Sequence, residues 1–146
     1  MAVESKKQEN SFRQQRERWL RAYAEAQNMR ERLPQVEQLV LSIAFTDRHG
    51  FGTYSPQMRS LSAAAKAFFA IPCPRTLCLD GGFDLDPIIV AMLDANRTAS
   101  AGTLTCHGWV DPGRADNARC HLELRYEFQV QYDASHVSRV RQRIGV

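Results

Sequence analysis

The sequence contains no long apolar run. Its most apolar window, AAAKAFFAI, is short and is interrupted by Lys66, whereas a membrane-spanning helix needs about 20 apolar residues. The opening stretch, MAVESKKQEN, is polar and charged and lacks the apolar segment that secretory signals carry. We therefore expect no membrane span and no secretory signal, and we take the cytoplasm as the expected location.

Several catalytic motifs are absent as well. The chain has no glycine motif of the kind that binds phosphate groups and no nucleophile elbow. The acidic stretch DGGFDLD is too short for a calcium loop and lacks its ligand spacing. Helix capping explains Asp84 and Asp86 more simply than catalysis does. The sequence thus indicates no catalytic residue, and it favours a binding protein over an enzyme.

The chain length of 146 residues fits one domain with an extra arm. From about Ser11 to Leu33, apolar residues recur at helical spacing, and Pro34 stops the helix. We divide the chain into an N-terminal amphipathic helical arm (1–33), an α+β domain (34–133) and a basic tail (134–146). The stripe of the arm helix consists of Phe12, Trp19, Ala22, Tyr23, Ala26, Met29 and Leu33.

The central region combines strand patterns with one clear helix. Alternating apolar residues predict strands over 37–47, 101–110 and 118–133. The segment 84–96 predicts a helix with Pro87 in its first turn. Residues 56–72 are ambiguous, and we expect a loop or short helix to about Ala65 and a strand from 67 to 72. The predicted fold class is α+β, with a small antiparallel sheet of three or four strands and one packed helix.

The cysteines form the most informative pattern. Two of the four stand close together in IPCPRTLC, and a hairpin centred on Gly113 would place the other two directly opposite each other on one face. In a reducing compartment such a cluster indicates metal or catalysis more often than disulfides. Four sulfurs suit tetrahedral Zn²⁺. We predict a structural Zn²⁺ site, with four buried free thiols or two disulfides as alternatives; the predicted ligands are Cys73, Cys78, Cys106 and Cys120.

The surroundings of this site can also be predicted. Arg75 and Arg119 could offset the negative charge of four thiolates, and backbone N–H groups near Gly81 and Gly82 could donate to sulfur. His107 and His121 each follow a cysteine in a predicted strand. Successive side chains of a strand point to opposite faces, so the two histidines are poor co-ligands.

This arrangement resembles the zinc-ribbon class of four-cysteine modules, in which a cysteine-bearing turn and a β-hairpin clasp one zinc ion. The resemblance covers residues 67–132. It implies the four cysteines as ligands and no catalytic residue. It also implies a recognition or assembly role, since members of the class act mostly in nucleic-acid machinery.

A catalytic alternative comes from a second pattern. The stretches PCPRTLC and HLE together resemble the H-x-E and P-C-x-x-C pattern of the zinc deaminases, in reversed order. That alternative would make the protein a small hydrolytic enzyme with an open-site metal. Against it, the strand pattern places His121 and Glu123 on the polar face, away from Cys120.

Charge is concentrated at the two ends of the chain. Residues 1–33 and 134–146 each carry +3, whereas 34–133 carry −3. Basic ends could meet an anionic partner such as RNA, but we favour a protein partner that binds the N-terminal helix, and self-association is also open. The predicted contact residues are Arg13, Arg16, Arg18, Trp19, Arg21, Arg139, Arg141 and Arg143.

Overall fold

The fold is built around a four-stranded antiparallel sheet. A computed structural model describes residues 2–47, 54–75, 78–111 and 118–136. The sheet has the strand order β2-β1-β8-β5, which confirms the predicted α+β class. The elements are α1 (Ala2–Glu25), α2 (Met29–Arg32), β1 (Val36–Thr46), β2 (Gln57–Leu61), β3 (Ala70–Ile71), β4 (Phe83–Asp84), α3 (Asp86–Asp94), β5 (Ala99–Thr105), β6 (Trp109–Asp111), β7 (Ala118–Arg119) and β8 (Glu123–Tyr132).

One face of the sheet forms the core. Along β8, buried and exposed side chains alternate, as the sequence predicts for a strand with one wet face. The apolar side chains of β1 and the predicted helix, α3, belong to the same buried cluster. The opposite sheet face carries the polar residues of β8 and faces solvent. The buried members on these elements are Leu39, Leu41, Ile43, Ile89, Met92, Leu93, Leu124, Tyr126, Phe128 and Val130.

Strand β2 was not predicted. The expected loop or short helix up to about Ala65 is wrong, because residues 57–61 pair antiparallel with β1. Four of its five residues are exposed and only Leu61 is partly buried, so the strand has no alternating apolar pattern. Its conformation comes from pairing with β1, which the local sequence does not encode. The strand predicted over 67–72 is reduced to the two residues of β3.

The N-terminal helix is divided in two rather than continuous to Leu33. Helix α1 begins at Ala2 and ends at Glu25, and Asn28 then caps α2 by accepting a 2.9 Å hydrogen bond from the N–H of Glu31. Met29 and Leu33 are 1% and 8% exposed and belong to the core cluster. Deletion of residues 1–33 would therefore remove two core side chains along with α1.

The register next to the cysteines differs from the predicted one. A hairpin centred on Gly113 would pair Leu104 with Leu122 and Gly102 with Leu124, but Leu104 pairs with Leu124 and Gly102 with Tyr126, a shift of two residues. Cys106 therefore does not lie opposite Cys120; the N–H of Cys120 instead donates to the carbonyl of Gly108 at 2.8 Å. A shift of two residues preserves the face of every side chain. Both sulfurs consequently remain on the same side, and the predicted centre of the hairpin, Gly113, lies outside the described residues.

Within the residues that the structure describes, no helix has both the length and the apolar character needed to cross a membrane.

Candidate metal centre

The sulfur atoms of the four cysteines converge on one point. All four lie within 4.8 Å of one another, and the sulfurs of Cys73 and Cys120, like those of Cys78 and Cys106, are 3.6 Å apart. A tetrahedron with Zn–S bonds of about 2.3 Å has sulfur–sulfur edges of about 3.8 Å. A disulfide would need about 2.05 Å, and all four cysteines are free thiols. The cluster therefore has the size of a four-sulfur metal site.

Backbone hydrogen bonds at strand ends bring the cysteines together. Cys106 directly follows β5, and Cys120 directly follows β7. The N–H of Cys106 donates to the carbonyl of Leu122 at 2.8 Å. On the other side of the cluster, Leu79 and Trp109 exchange two N–H···O bonds of 2.8 Å each, which attach the residue after Cys78 to β6. The two halves of the cluster are thus connected through backbone pairing.

Two glycines, which have no side chain, leave room for the sulfur atoms. A Cβ atom added at Gly81 would lie 2.5 Å from the sulfur of Cys106 and even closer to that of Cys78. A Cβ atom at Gly108 would again overlap the sulfur of Cys78 and would lie 2.7 Å from Cα of Gly81. Cys78, Cys106 and Cys120 are buried, whereas Cys73 is half-buried. The close packing of backbone around sulfur fits a coordinated ion that needs all four thiolates.

Hydrogen bonds shift the pKa values of Cys73, Cys78 and Cys106 in different directions. Bonds from the Cys73 and Cys78 thiols, followed by backbone N–H groups of Gly108 and Gly82, hold the pKa of Cys106 far below its usual range. The N–H of Gly82 lies 3.3 Å from that sulfur, as predicted for a donor near the glycine pair. The bond to Cys106 and burial raise the pKa of Cys73 to about 12, and similar contacts raise the pKa of Cys78. A metal ion must displace protons here, so affinity will fall as the pH falls.

Arg75 supplies positive charge beside the cluster, as predicted. Its guanidinium donates to the carbonyl of Cys120 at 2.9 Å and pairs with the buried carboxylate of Asp47 at 2.7 Å. Burial acts to lower the pKa of Arg75, but the bond to Asp47 and the charge on Cys120 outweigh it and raise the pKa. Arg119, in contrast, lies over the ring of Trp109, with its guanidinium carbon 3.5 Å from the ring centroid.

The two histidines next to cysteines lie outside the cluster. His107 and His121 are exposed, whereas the cysteines that precede them are buried. His121 also adopts a positive φ of 54°, a conformation that few residues other than glycine take. Within the described residues, the group that could hold a metal ion consists of the four cysteines alone.

Helix α1 packs against the cysteine loop, a contact that the sequence did not reveal. The side-chain amide of Gln15 donates to the carbonyl of Cys78 at 3.4 Å and accepts from the N–H of Asp80 at 2.7 Å. The indole N–H of Trp19 donates to the carbonyl of Ala70 at 3.2 Å. Nothing in the sequence distinguishes Gln15 from the other polar residues of α1, because its role depends on where the helix lies.

The predicted contact residues are distributed unevenly. Trp19 is half-buried and makes an edge-to-face contact with Phe68 at 5.5 Å between ring centroids. The three arginines of the tail, Arg139, Arg141 and Arg143, lie outside the described residues. The remaining four are exposed on α1: Arg13, Arg16, Arg18 and Arg21.

Comparison with protein-family models, curated proteins and solved structures gave no match. What the chain shares with four-cysteine modules is the cluster itself, which could hold one metal ion.

Proposed function

We propose that the four cysteines bind one structural Zn²⁺ ion and that the protein is a non-enzymatic binding module. The observation that carries the proposal is the tetrahedral size of the sulfur cluster, with two sulfur–sulfur edges of 3.6 Å. Zinc takes four thiolates in tetrahedral structural sites. The reduced thiols also agree with the cytoplasmic location that we propose for the chain.

A structural role fits the ligand set better than a catalytic one. Four protein ligands complete the tetrahedral shell, whereas catalytic zinc sites keep one position open for water or substrate. The deaminase-like alternative also needs a glutamate beside the metal. The glutamate of the HLE pattern, Glu123, starts β8, with the exposed His121 and the buried Leu122 between it and Cys120. The arrangement supports a metal that stabilises the fold rather than one that activates water.

We expect protein purified without added metal to contain one Zn²⁺ per chain, measured by elemental analysis. The thiols should resist a chromogenic thiol reagent until a strong chelator or denaturant is added, because coordination and burial protect them. Replacement by Co²⁺ should give the intense visible absorption of tetrahedral thiolate coordination. Absence of zinc, or four freely reactive thiols in the folded protein, would contradict the metal assignment. If an anion that displaces metal-bound water changed the Co²⁺ spectrum, the metal would have an open position, and the hydrolytic-enzyme alternative would be favoured.

The exposed face of α1 is the proposed contact surface for a protein partner. Leu20 and Tyr23 are 51% and 44% exposed, and four arginines of α1 are exposed as well. Aromatic residues and arginine are enriched at protein interfaces. RNA contacts would use the same arginines together with Arg139, Arg141 and Arg143, whereas single-strand binders typically line a basic groove with aromatic side chains.

The partner class can be tested at Leu20. A photo-cross-linking residue at this position should yield discrete protein adducts in native cells, and the same residue at Gln57, exposed on β2 at the sheet edge opposite β5, should not. Binding of single-stranded oligouridine should be weak and should fall with salt, with a slope of about −0.7 per phosphate contact. It should disappear when Arg16 and Arg18 are replaced by glutamate. RNA binding that survives both changes would place the contacts elsewhere and favour an RNA-binding role.

A further inference from the structure

Strand β5 forms one edge of the main sheet. The N–H of Val130 donates to the carbonyl of Thr98 at 2.8 Å, and the N–H of Cys106 donates to Leu122 at 2.8 Å. Even-numbered residues of this segment therefore direct their backbone groups toward β8. In an antiparallel ladder these groups alternate in direction, so the odd-numbered residues direct theirs away from the sheet. Those residues are Ala99, Ala101, Thr103 and Thr105.

Within the part of the chain that the structure describes, this edge has none of the features that normally prevent strand pairing. Proteins protect exposed edges with charged residues, proline, bulges or very short strands. The seven residues of β5, ASAGTLT, include no charge and no proline and show no register shift. The other edge, β2, is shorter, follows Pro56 and contains Arg59. Of the two edges, β5 is the one suited to accept another strand.

We propose that β5 pairs antiparallel with β5 of a second copy, about a two-fold axis at Gly102, so that two sheets join into one. This register pairs Ala99 with Thr105 of the second copy and Ala101 with Thr103. All the residues of both strands whose backbone N–H and C=O groups point away from the sheet then form hydrogen bonds across the interface. The proposed pairing does not depend on which metal ion the cysteines bind.

The charges next to the edge agree with self-pairing. Within one chain, Thr103 lies opposite Arg125 on β8, and Ala101 lies opposite Glu127. In the proposed register, a row therefore runs across the four central strands. It begins at Arg125 and Thr103 of one copy and continues through Ala101 and Glu127 of the second copy. Three strand spacings separate the Cα atoms of Arg125 and Glu127 by about 14 Å, and both side chains are long and exposed. They can approach each other over the small intervening side chains, and the two-fold axis generates this pair twice.

Gly102 suits the position on the axis. There it would face its own copy in a non-hydrogen-bonded pair, where Cα atoms approach to about 4.5 Å. On the core side, the side chain of Tyr126 fills the space that a side chain at Gly102 would need, since an added Cβ atom would lie 2.5 Å from the tyrosine oxygen. Neither copy therefore brings a side chain of its own to the closest contact.

The association can be measured by sedimentation equilibrium on the metal-loaded full chain. We expect a dimer, and we expect Ala101→Lys to raise the dimer dissociation constant by at least about tenfold, because lysine on an edge opposes pairing. The control, Gln131→Lys, adds the same charge to the same sheet face away from β5 and should leave the dissociation constant within about twofold. Zinc content should be unchanged in both, and so should thermal melting at protein concentrations low enough for both variants to be monomeric. A wild-type chain that is monomeric at all concentrations would overturn the proposal.

A charge exchange tests the register itself. Arg125→Glu or Glu127→Arg alone places like charges in both rows, so each should weaken the dimer by about tenfold. The double variant restores opposite charges and should return the dissociation constant to within about threefold of the wild-type value. Additive weakening in the double variant would reject this register. A dimer that resists Ala101→Lys but is lost on Leu20→Glu would place the interface on α1 instead.

Discussion

Replacing Cys106 by serine is expected to release the metal and abolish the cooperative fold of the chain. Cys106 is fully buried, and its sulfur contacts that of Cys78 and accepts the N–H of Gly82. Free energies of binding for structural zinc are about 10–16 kcal/mol in small zinc-dependent folds, whereas a whole domain is stable by only about 5–15 kcal/mol. If loss of one ligand releases the metal, the binding free energy that is lost can thus exceed the free energy of unfolding of the domain. Zinc content and the loss of near-ultraviolet circular dichroism measure the effect.

The adjacent residue provides a matched control for this substitution. His107 follows Cys106 but is exposed and lies outside the sulfur cluster, so His107→Ser should keep the zinc and change the free energy of unfolding by less than about 0.5 kcal/mol. A Cys106→Ser protein that folds cooperatively without zinc would show that the cysteine is an ordinary core residue. Loss of zinc in the histidine variant would instead place His107 in the coordination shell.

Gly108→Ala is expected to weaken metal binding strongly although it removes no ligand. The new methyl group would overlap the sulfur of Cys78 and would lie 2.7 Å from Cα and 2.8 Å from the backbone nitrogen of Gly81. Backbone on two crossing segments cannot move without moving the ligands. Overpacking in such places costs about 1–3 kcal/mol, so competition with a chelator should show zinc affinity reduced by about tenfold to a hundredfold.

Gly102→Ala is the control for the glycine prediction. Its added methyl group would approach Tyr126 at 2.5 Å from the hydroxyl oxygen and 2.9 Å from the adjacent ring carbon. These atoms belong to a side chain that can shift, and they lie on the sheet rather than at the sulfurs. Zinc affinity should therefore stay near the wild-type value. Equal loss of zinc in both variants would mean that any added methyl group in this region disturbs the fold, and that Gly108 has no special relation to the metal site.

Much of the fold could be predicted because its strongest elements are defined by local pattern. The buried residues of β8 alternate with exposed ones over the whole strand, so the core face is encoded by a period of two. Pro87 marked the start of α3, but the expected acidic cap was wrong: the N-cap is Leu85, without a side-chain hydrogen bond, and the carboxylate of Asp84 accepts the N–H of Asp86 at 3.0 Å. The grouping of four cysteines could be inferred because thiols are few and because a shift of two residues in register keeps side chains on one face.

Only the tertiary structure decided how these parts fit together. Strand β2 exists through its pairing with β1, and Gln15 holds the cysteine loop because α1 lies across it. The structure also placed Gly108, rather than Cys106, opposite Cys120. Residue types and their spacing determine which faces are buried and which atoms could bind a metal. Register, docking and close approach depend on hydrogen bonds and contacts between distant segments, and no local pattern encodes the distance between two such segments.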